Sequence, residues 1–290
     1  MATSIIIVNY NTKTLLDNCI NSIYRTQLNC QFEIIVVDNN SSDNSIELKK
    51  KYPKIEWIAN KENKGFGYAN NQGVAVSKYE HILLLNSDTI LEESIIDKLE
   101  LACNNNNKCG GISPNILYED KTIQNTYGNF PTVLFFWLNA LKIIPILPSF
   151  IKEKLLIGQP VKFTEMKEVP HILGVAMFLK KAAFKTVNGF DTNFFLYFEE
   201  TDLCDRMAQK GYRFYVMPNI HVIHLLSKSS PSSLFKTKHL NQSLFYYFRK
   251  RNIPHVSLYI LSTIKLIILA IKNRDIRFIK LTKEIFKHDS

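Results

Sequence analysis

Residues 4–11 read SIIIVNYN, residues 33–38 read EIIVVD, and residues 81–88 read HILLLNSD. Each stretch is a short β-branched or aliphatic run that ends in asparagine or aspartate, and helical patterns separate the runs. Continuous apolar runs of this length are typical of parallel strands covered on both faces. The sequence therefore predicts an α/β fold with an open, mostly parallel, Rossmann-like sheet flanked by helices.

A further strand is predicted over residues 55–59, and polar residues follow each of the first four predicted strands. In open parallel sheets, ligands bind beyond the carboxyl ends of the strands. We therefore expect a binding site along one rim of the sheet. The residues expected there are Asn9, Asn11, Asp38, Asn39, Asn60, Asn63, Asn86 and Asp88.

Two common phosphate-binding motifs are missing from the sequence. It has no G-x-x-x-x-G-K-[ST], which disfavours a P-loop NTPase. The segment GFGYAN (65–70) fails the dinucleotide-binding pattern at its last position and follows the third strand, not the first. A dinucleotide site is not expected.

The composition limits the compartment and the partners. The chain has 290 residues, a net charge of +10 and five cysteines without a Cys-x-x-Cys pair, which fits a reducing compartment. A basic surplus can indicate nucleic acid, an anionic membrane or phosphorylated substrates. Because the positive charge lies mostly outside the expected rim and no recognition motif is present, nucleic acid is not an expected partner.

The second half of the chain contains an acidic cluster after an aromatic run, FFLYFEETDLCD (194–205). Glu199, Glu200 and Asp202 would lie in the first turn of a helix, where the helix dipole stabilises carboxylates. The same residues beside Phe195 and Tyr197 suit a general base in a partly dry pocket with aromatic faces for a sugar ring. Both interpretations stay open on the residues alone.

Three further residues have a structural and a functional interpretation. Asp38 is either a turn and helix cap or an acceptor for a base or ribose. Asp88 is either a helix cap or a ligand for a divalent cation bound to a diphosphate. His224 follows an expected strand and is either structural or a metal ligand.

The C-terminal region is apolar and basic together. Residues 255–271 read HVSLYILSTIKLIILAI, with Lys265 near the middle and basic residues on both sides. The segment is short for a membrane span and carries a central charge. It is predicted to lie in an anionic membrane surface, and the alternatives are a packed core helix or an oligomer contact.

Five segments in order resemble family-2 glycosyltransferases of the GT-A fold, and most of all the bacterial rhamnosyltransferase-like group that builds surface polysaccharides. They are SIIIVNYN (4–11), VVDNNSSDNS (36–45), NKENKGFGYANNQGV (60–74), LLLNSDTIL (83–91) and the stretch from Gly189 to His224. The resemblance covers about residues 3 to 230.

The resemblance implies a role for each matching residue. The nucleotide-sugar site would comprise Asn9, Asn11, Asp38, Asn40, Asn63, Gly65, Phe66, Asn70, Asn86 and Ser87. The family's Asp-x-Asp metal motif appears as Asn86-Ser87-Asp88, so the implied metal ligands are Asp88 and His224. The implied general base is Glu200, with Glu199 as the alternative, and the implied acceptor contacts are Phe195, Tyr197 and Asp202.

The resemblance also implies a reaction and a location. An inverting transferase would use Mg²⁺ or Mn²⁺ and move a sugar from a nucleotide-diphosphate donor, with dTDP-rhamnose favoured and UDP-sugars open, to a lipid-linked glycan at the cytoplasmic face of the membrane. Residues 1–231 would form the GT-A domain, with the nucleotide half at about 1–110 and the acceptor half at about 111–231, and 232–290 would form a helical membrane-associating or packing extension. The alternative function is a non-catalytic nucleotide-binding scaffold of a polysaccharide assembly complex.

Overall fold

The computed structural model describes residues 2–27, 31–226 and 233–287, with side chains up to residue 282. The strands are β1 Ala2–Asn9, β2 Gln31–Asp38, β3 Glu56–Ala59, β4 His81–Asn86, β5 Thr89–Ile90, β6 Cys109–Leu117, β7 Asn125–Gly128, β8 Gln159–Pro160, β9 Lys167–Val169, β10 His171–Ile172, β11 Ala176–Lys180 and β12 Arg213–His224. The helices are α1 Lys13–Thr26, α2 Leu48–Lys51, α3 Phe66–Val76, α4 Ile96–Asn104, α5 Val133–Ala140, α6 Ser149–Leu155, α7 Lys181–Thr186, α8 Glu199–Gln209, α9 Ser233–Lys250, α10 Val256–Asn273 and α11 Arg277–Lys287.

The main sheet has the strand order β3-β2-β1-β4-β11-β6-β12-β5. Strands β3, β2, β1 and β4 run parallel to one another. Strand β11 then runs antiparallel to both β4 and β6. The expected α/β architecture is confirmed, and its parallel part is the N-terminal half, whose strand ends carry the polar residues of the predicted rim.

Strand β1 shows why its sequence is continuously apolar. Ile5 and Ile7 join one buried cluster with residues of α1, while Ile6 joins a second cluster on the opposite face with residues of α3 and α8. Helix α3 approaches β1 closely, because a Cβ at Gly73 would lie only 2.5 Å from Ile6 Cγ2. A glycine is therefore required there to bring the start of α3 to the rim.

The chain divides into two compact units. The first unit comprises Met1–Phe130, Ile157–Asn193 and Glu199–Ser229, and the second comprises Pro131–Leu156, Phe194–Phe198 and Ser230–Ser290. Each has its own buried core. The core of the second unit includes Phe194, Phe198, Tyr247, Phe248, Leu258, Leu266 and Phe278. The division predicted at residues 231 and 232 falls outside the described residues.

Two local features of the strands matter for the site. Residues 169–180 do not form one strand, because the chain is interrupted between β10 and β11, and Gly174 lies in the interruption. Strand β12 continues to His224, because after an irregularity it pairs again with β6 and then with β5. The first feature exposes backbone beside α8, and the second brings His224 to the turn after β4.

Candidate active site

Asp38 is a fixed carboxylate at the end of β2. The parallel register pairs it with Asn9, whose Nδ2 donates to Asp38 Oδ2 at 2.7 Å. The backbone N–H of Ser41 donates to Oδ1 at 2.8 Å. Asn9 is fully buried and Asp38 is 4% exposed. Both carboxylate oxygens therefore have a donor before any ligand arrives.

A chain of hydroxyl and amide groups joins this end of the sheet to the turn after β4. The Thr12 hydroxyl donates to Asn9 Oδ1 at 2.6 Å and lies 2.8 Å from Ser87 Oγ. Since the Thr12 proton is used on Asn9, Ser87 donates to Thr12. Asn9 and Ser87, predicted on the same rim, are thus linked through one residue.

The asparagines after β1 and β2 hold the loop that follows Asp38. The backbone N–H of Asn11 donates to Ser41 Oγ, and Asn11 Oδ1 accepts from the backbone N–H of Ser42 at 2.7 Å. Asn11 and Asn40 have φ angles of 55° and 65°, a region that asparagine tolerates better than most residues. Asn40 itself is exposed.

Hydrogen bonds attach the glycine-rich segment before α3 to the end of β2. Asn39 Nδ2 donates to the Gly65 carbonyl at 3.2 Å, and Asn63 Oδ1 accepts from the Gly65 N–H at 2.9 Å. Gly65 has a φ of 95°, which favours glycine. Asn70 is buried and donates to the Phe66 carbonyl within the helix. These contacts fix the position of Phe66 at the helix start.

Asp88 and His224 meet at the turn between β4 and β5. The pairing of His224 with Thr89 and the hydrogen bond from Leu225 N–H to the Asp88 carbonyl bring the two side chains together. His224 Nε2 lies 3.2 Å from Asp88 Oδ1, and the two side chains are 10% and 13% exposed. An imidazole nitrogen and a carboxylate oxygen therefore face each other in a nearly buried position.

Gln124 sets the orientation of the His224 ring. Gln124 Nε2 donates to the His224 carbonyl at 2.8 Å, so its Oε1 is the atom 3.0 Å from His224 Nδ1. An oxygen acceptor requires a proton on Nδ1. A neutral His224 then presents the bare Nε2 lone pair to Asp88. Two electron-rich atoms at this distance favour a cation between them or a proton on Nε2.

The donor set fits a hard divalent cation that also binds phosphate. Within residues 2–27, 31–226 and 233–287, no group of three or more His, Cys, Asp and Glu side chains is placed to hold a metal ion. Mg²⁺ commonly uses only one or two carboxylates and completes its shell with phosphate oxygens and water. A hydrogen bond to the second ring nitrogen is the usual support of a ligating histidine, and Gln124 provides it.

Glu200 approaches the same strand end from α8. A Cβ built on Gly174 would lie 3.7 Å from Glu200 Cβ and 3.8 Å from Phe66 Cε1. The next residue, Val175, accepts a hydrogen bond from the Asn86 N–H at 3.0 Å. Glu200 is therefore connected to the turn that bears Asp88 through two adjacent backbone residues.

The two adjacent glutamates are held in an unfavourable environment for charge. Burial raises the pKa of Glu199 well above its ordinary value, and repulsion from Glu200 adds to this effect. Burial also raises the pKa of Glu200, although backbone N–H groups at the helix start oppose the change. One oxygen of each, Oε2, has no hydrogen-bond partner among the described residues. Acidic groups with such raised pKa values are candidates for proton transfer.

A comparison with known proteins identifies the family of the chain. Residues 4–187 match the model of glycosyl transferase family 2, and residues 161–228 match a model described as the N-terminal domain of galactosyltransferase. The first match covers more than half of the chain.

This chain belongs to glycosyl transferase family 2.

Two relatives of this family-2 glycosyltransferase are named as rhamnosyltransferases. Rhamnosyltransferase WbbL of Escherichia coli is 27% identical over 76% of this chain and 83% of its own length. The N-acetylglucosaminyl-diphospho-decaprenol L-rhamnosyltransferase of Mycobacterium tuberculosis is 23% identical over 73% of each chain.

A solved structure agrees with the GT-A-type fold. The mannosyltransferase PcManGT from Pyrobaculum calidifontis, in complex with GDP-Man and Mn²⁺, superposes with a TM-score of 0.55 at 15% identity. The match covers 85% of this family-2 glycosyltransferase and 64% of the mannosyltransferase chain.

The three predicted acceptor contacts are divided between the two units, with Asp202 in the first. Asp202 is 1% exposed, and its carboxylate lies 2.7 Å from Nε of Arg206. The two other guanidinium nitrogens of Arg206 donate to the carbonyls of Val187 and Gly189. These contacts give Asp202 a structural position in the family-2 transferase. Phe195 and Tyr197 belong to the second unit, where Phe195 stacks on His239 with ring centroids 4.5 Å apart.

Three residues of the site were missed by the sequence reasoning. Thr12 and Gln124 are polar residues without a motif around them, so no local signal marks them. Gly174 does carry a signal, because a single glycine inside a strand pattern often marks a bulge or a close approach. In this family-2 glycosyltransferase it marks the approach of Glu200.

Proposed function

We propose that this family-2 glycosyltransferase is an inverting enzyme of surface polysaccharide synthesis. It transfers rhamnose from a nucleotide-diphosphate donor, with dTDP-rhamnose favoured, to a lipid-linked glycan at the cytoplasmic face of the membrane. The observation that carries the proposal is the set of hydrogen bonds from Asp38 to Ser87, next to Asp88, and from Asn86 to Val175, next to the Gly174 that Glu200 approaches.

Glu200 is the proposed general base. Its Cβ and Cγ lie beside Gly174, which carries no side chain of its own, and burial raises its pKa, which favours uptake of a proton from an acceptor hydroxyl. The acceptor oxygen then attacks the anomeric carbon as its proton passes to Glu200, and the bond to the diphosphate breaks on the opposite face. Glu199 is more buried and is the proposed alternative.

Asp88 and His224 are the proposed ligands of Mg²⁺ or Mn²⁺. When bound, the divalent cation supplies positive charge that stabilises the diphosphate leaving group. The acceptor oxygen of Gln124 holds a proton on Nδ1 of His224, so Nε2 is the ring nitrogen available to the cation, and Asp88 supplies the anionic oxygen. The Mn²⁺ in the mannosyltransferase complex supports the choice of metal.

Asp38 is the proposed contact to the nucleotide, with Asn9 and Ser41 fixing its carboxylate. Phe66, held at the start of α3, is the proposed apolar wall of the donor site. The names of the two relatives support rhamnose as the sugar, and the decaprenol-linked substrate in the name of the mycobacterial relative supports a lipid-linked acceptor.

A transfer assay tests the proposal. The purified chain is incubated with dTDP-rhamnose, UDP-glucose, UDP-N-acetylgalactosamine or GDP-mannose and a lipid-linked acceptor, with and without Mn²⁺, and thermal shifts are recorded with each donor. We expect turnover and the largest shift with dTDP-rhamnose and Mn²⁺. Turnover with another donor would replace rhamnose, and tight nucleotide binding without any turnover would favour the non-catalytic scaffold.

A further inference from the structure

The second unit combines two properties that are unevenly distributed in the molecule. Its segments hold 15 of the 36 lysines and arginines but only 4 of the 26 aspartates and glutamates, so a net charge of +11 falls in 92 residues. The first unit, with 21 basic and 22 acidic residues, is close to neutral. The whole basic surplus of the chain therefore belongs to the second unit.

Exposed aliphatic side chains are also concentrated in the second unit, above all on α10. One face of this helix carries six aliphatic side chains, each more than 40% exposed. They are Val256, Ile260, Ile264, Ile267, Ile268 and Ile271, and we call them the α10 stripe. Successive members are four, four, three, one and three residues apart, which places them on one side of a helix. A helix that is apolar on both faces needs a second apolar surface to cover it.

The other face of α10 belongs to the protein. Leu258, Ser262, Leu266 and Ala270 are buried, and the three apolar ones lie in the core of the second unit. By length and composition, α10 is the one helix of the described chain that could cross a membrane. A helix tied to a protein core along one side and carrying an exposed Lys265 is better suited to lie along a bilayer than to span it.

We propose that the α10 stripe is inserted into the surface of an anionic lipid bilayer. Lys265 and Lys272 border the stripe on the helix wheel, and Arg274, Arg277 and Lys280 follow it. This arrangement places ammonium and guanidinium groups at the level of anionic headgroups while the isoleucines enter the acyl boundary. A second copy of the chain would instead bring two units of charge +11 together, which charge repulsion disfavours.

Vesicle flotation of the full chain tests the proposal without any sugar donor, so its result is independent of the proposed reaction. Wild type should float with phosphatidylcholine–phosphatidylglycerol vesicles and bind phosphatidylcholine vesicles far less. The Ile264→Asp/Ile268→Asp variant should lose at least about tenfold in partitioning, since charges replace inserted aliphatic groups. Leu101→Asp is the matched control, because Leu101 is an equally exposed aliphatic residue on α4 of the first unit.

A second pair of variants tests the charge. Lys265→Gln/Lys272→Gln should reduce partitioning by about fivefold per lysine on anionic vesicles, the equivalent of about 1 kcal/mol per charge, and should leave binding to neutral vesicles unchanged. Lys49→Gln/Lys50→Gln on the first unit is the matched control. Equal melting temperatures of all variants establish that the fold is intact.

Three outcomes would overturn the proposal. The first is a wild-type chain that fails to bind anionic vesicles, or binding that survives the Ile264→Asp/Ile268→Asp change. The second is a wild-type dimer in light scattering that the same change converts to a monomer, since a second copy would then cover the stripe. The third is resistance of the vesicle-bound chain to extraction by alkaline carbonate, which indicates a spanning helix.

Discussion

Two places in the first unit differ in how many hydrogen bonds their carboxylates receive: the rim at Asp38 and the start of α8 at Glu199 and Glu200. Both oxygens of Asp38 accept hydrogen bonds from fixed neighbours, whereas Glu199 and Glu200 each keep a buried oxygen without a partner in the described chain. A carboxylate whose two oxygens both accept hydrogen bonds is held in one position, which suits recognition. A desolvated, unsatisfied carboxylate favours its protonated form and gains a partner when a proton or hydroxyl arrives.

The contrast indicates that the environment divides these acidic residues into carboxylates fixed by hydrogen bonds and carboxylates that can accept a proton. Asp88 is intermediate, since it is nearly buried yet faces the bare nitrogen of His224. Changes at each place should therefore affect different measurable quantities. The changes below are ordered by the size of the expected effect.

The largest effect is expected for Glu200→Gln. Loss of a general base costs about 10²–10⁴-fold in rate, so we expect kcat to fall about 10³-fold while the Kd for the nucleotide stays the same. Glu199→Gln is the control, with a much smaller loss of kcat. If Glu199→Gln is the inactive variant and Glu200→Gln the active one, the two roles are exchanged.

Asp88→Ala should affect binding more than the proton-transfer step. Removing a direct ligand should exceed the 10–100-fold loss of metal affinity typical of a supporting residue, so we expect a more than about 100-fold loss in the Mn²⁺-dependent part of nucleotide affinity. Calorimetry with and without Mn²⁺ measures it. An unchanged Mn²⁺ dependence would remove Asp88 from the metal site and leave it as a turn residue.

Changes at Gln124 test the Asp88–His224 pair more finely. In Gln124→Leu the Nδ1 acceptor is lost, so Nδ1 should lose its proton while Nε2 bonds to Asp88, and metal affinity should fall about 10–100-fold. Gln124→Glu retains an acceptor oxygen and should retain the proton on Nδ1. Long-range ¹H–¹⁵N spectra of the metal-free protein report whether Nδ1 is protonated, and a protonated Nδ1 in Gln124→Leu would contradict the assignment.

The sequence predicted the strands of the sheet better than the hydrogen bonds between the residues of the site. Strands β1, β2 and β4 could be predicted because burial on both faces demands uninterrupted apolar residues, and the parallel arrangement then placed Asn9, Asp38 and Asn86 at one rim. The contact between Gln124 and His224 could not be predicted, because residues 100 positions apart meet only through the irregular pairing of β12 with β6.

Asp202 shows what a sequence window does not reveal about side-chain direction. Asp202 shares a turn with Glu199 and Glu200, so composition alone groups the three acids. On a helix, however, Asp202 faces Arg206 four residues later, and the pair anchors the loop at Val187 and Gly189. Helical geometry separates residues that a sequence window joins.

The pH dependence of the rate follows from the raised pKa of Glu200. The base is active only when deprotonated, and burial raises its pKa, so kcat/KM should fall about tenfold per pH unit below a pKa that lies above the ordinary glutamate value of about 4.3. A rate profile with saturating Mn²⁺ measures this. A profile that stays flat down to the ordinary value would contradict the buried position of the carboxylate.

The smallest effect concerns stability, and it separates the two environments most directly. A carboxyl group with a raised folded-state pKa contributes stability that is present below its unfolded-state pKa and is lost as the pH rises through the folded-state value. Glu199→Gln removes that loss. We therefore expect the variant to melt about 2–4 °C above wild type at pH 8, a change of roughly 1 kcal/mol for a chain of this size, and to show no gain near pH 4.

Asp38→Asn is the matched comparison, because the Asp38 carboxylate accepts hydrogen bonds from Asn9 and Ser41. The same measurement should give a lower melting temperature than wild type at pH 8. If both variants shift the melting temperature in the same direction at that pH, the two carboxylates do not differ in the way their surroundings indicate.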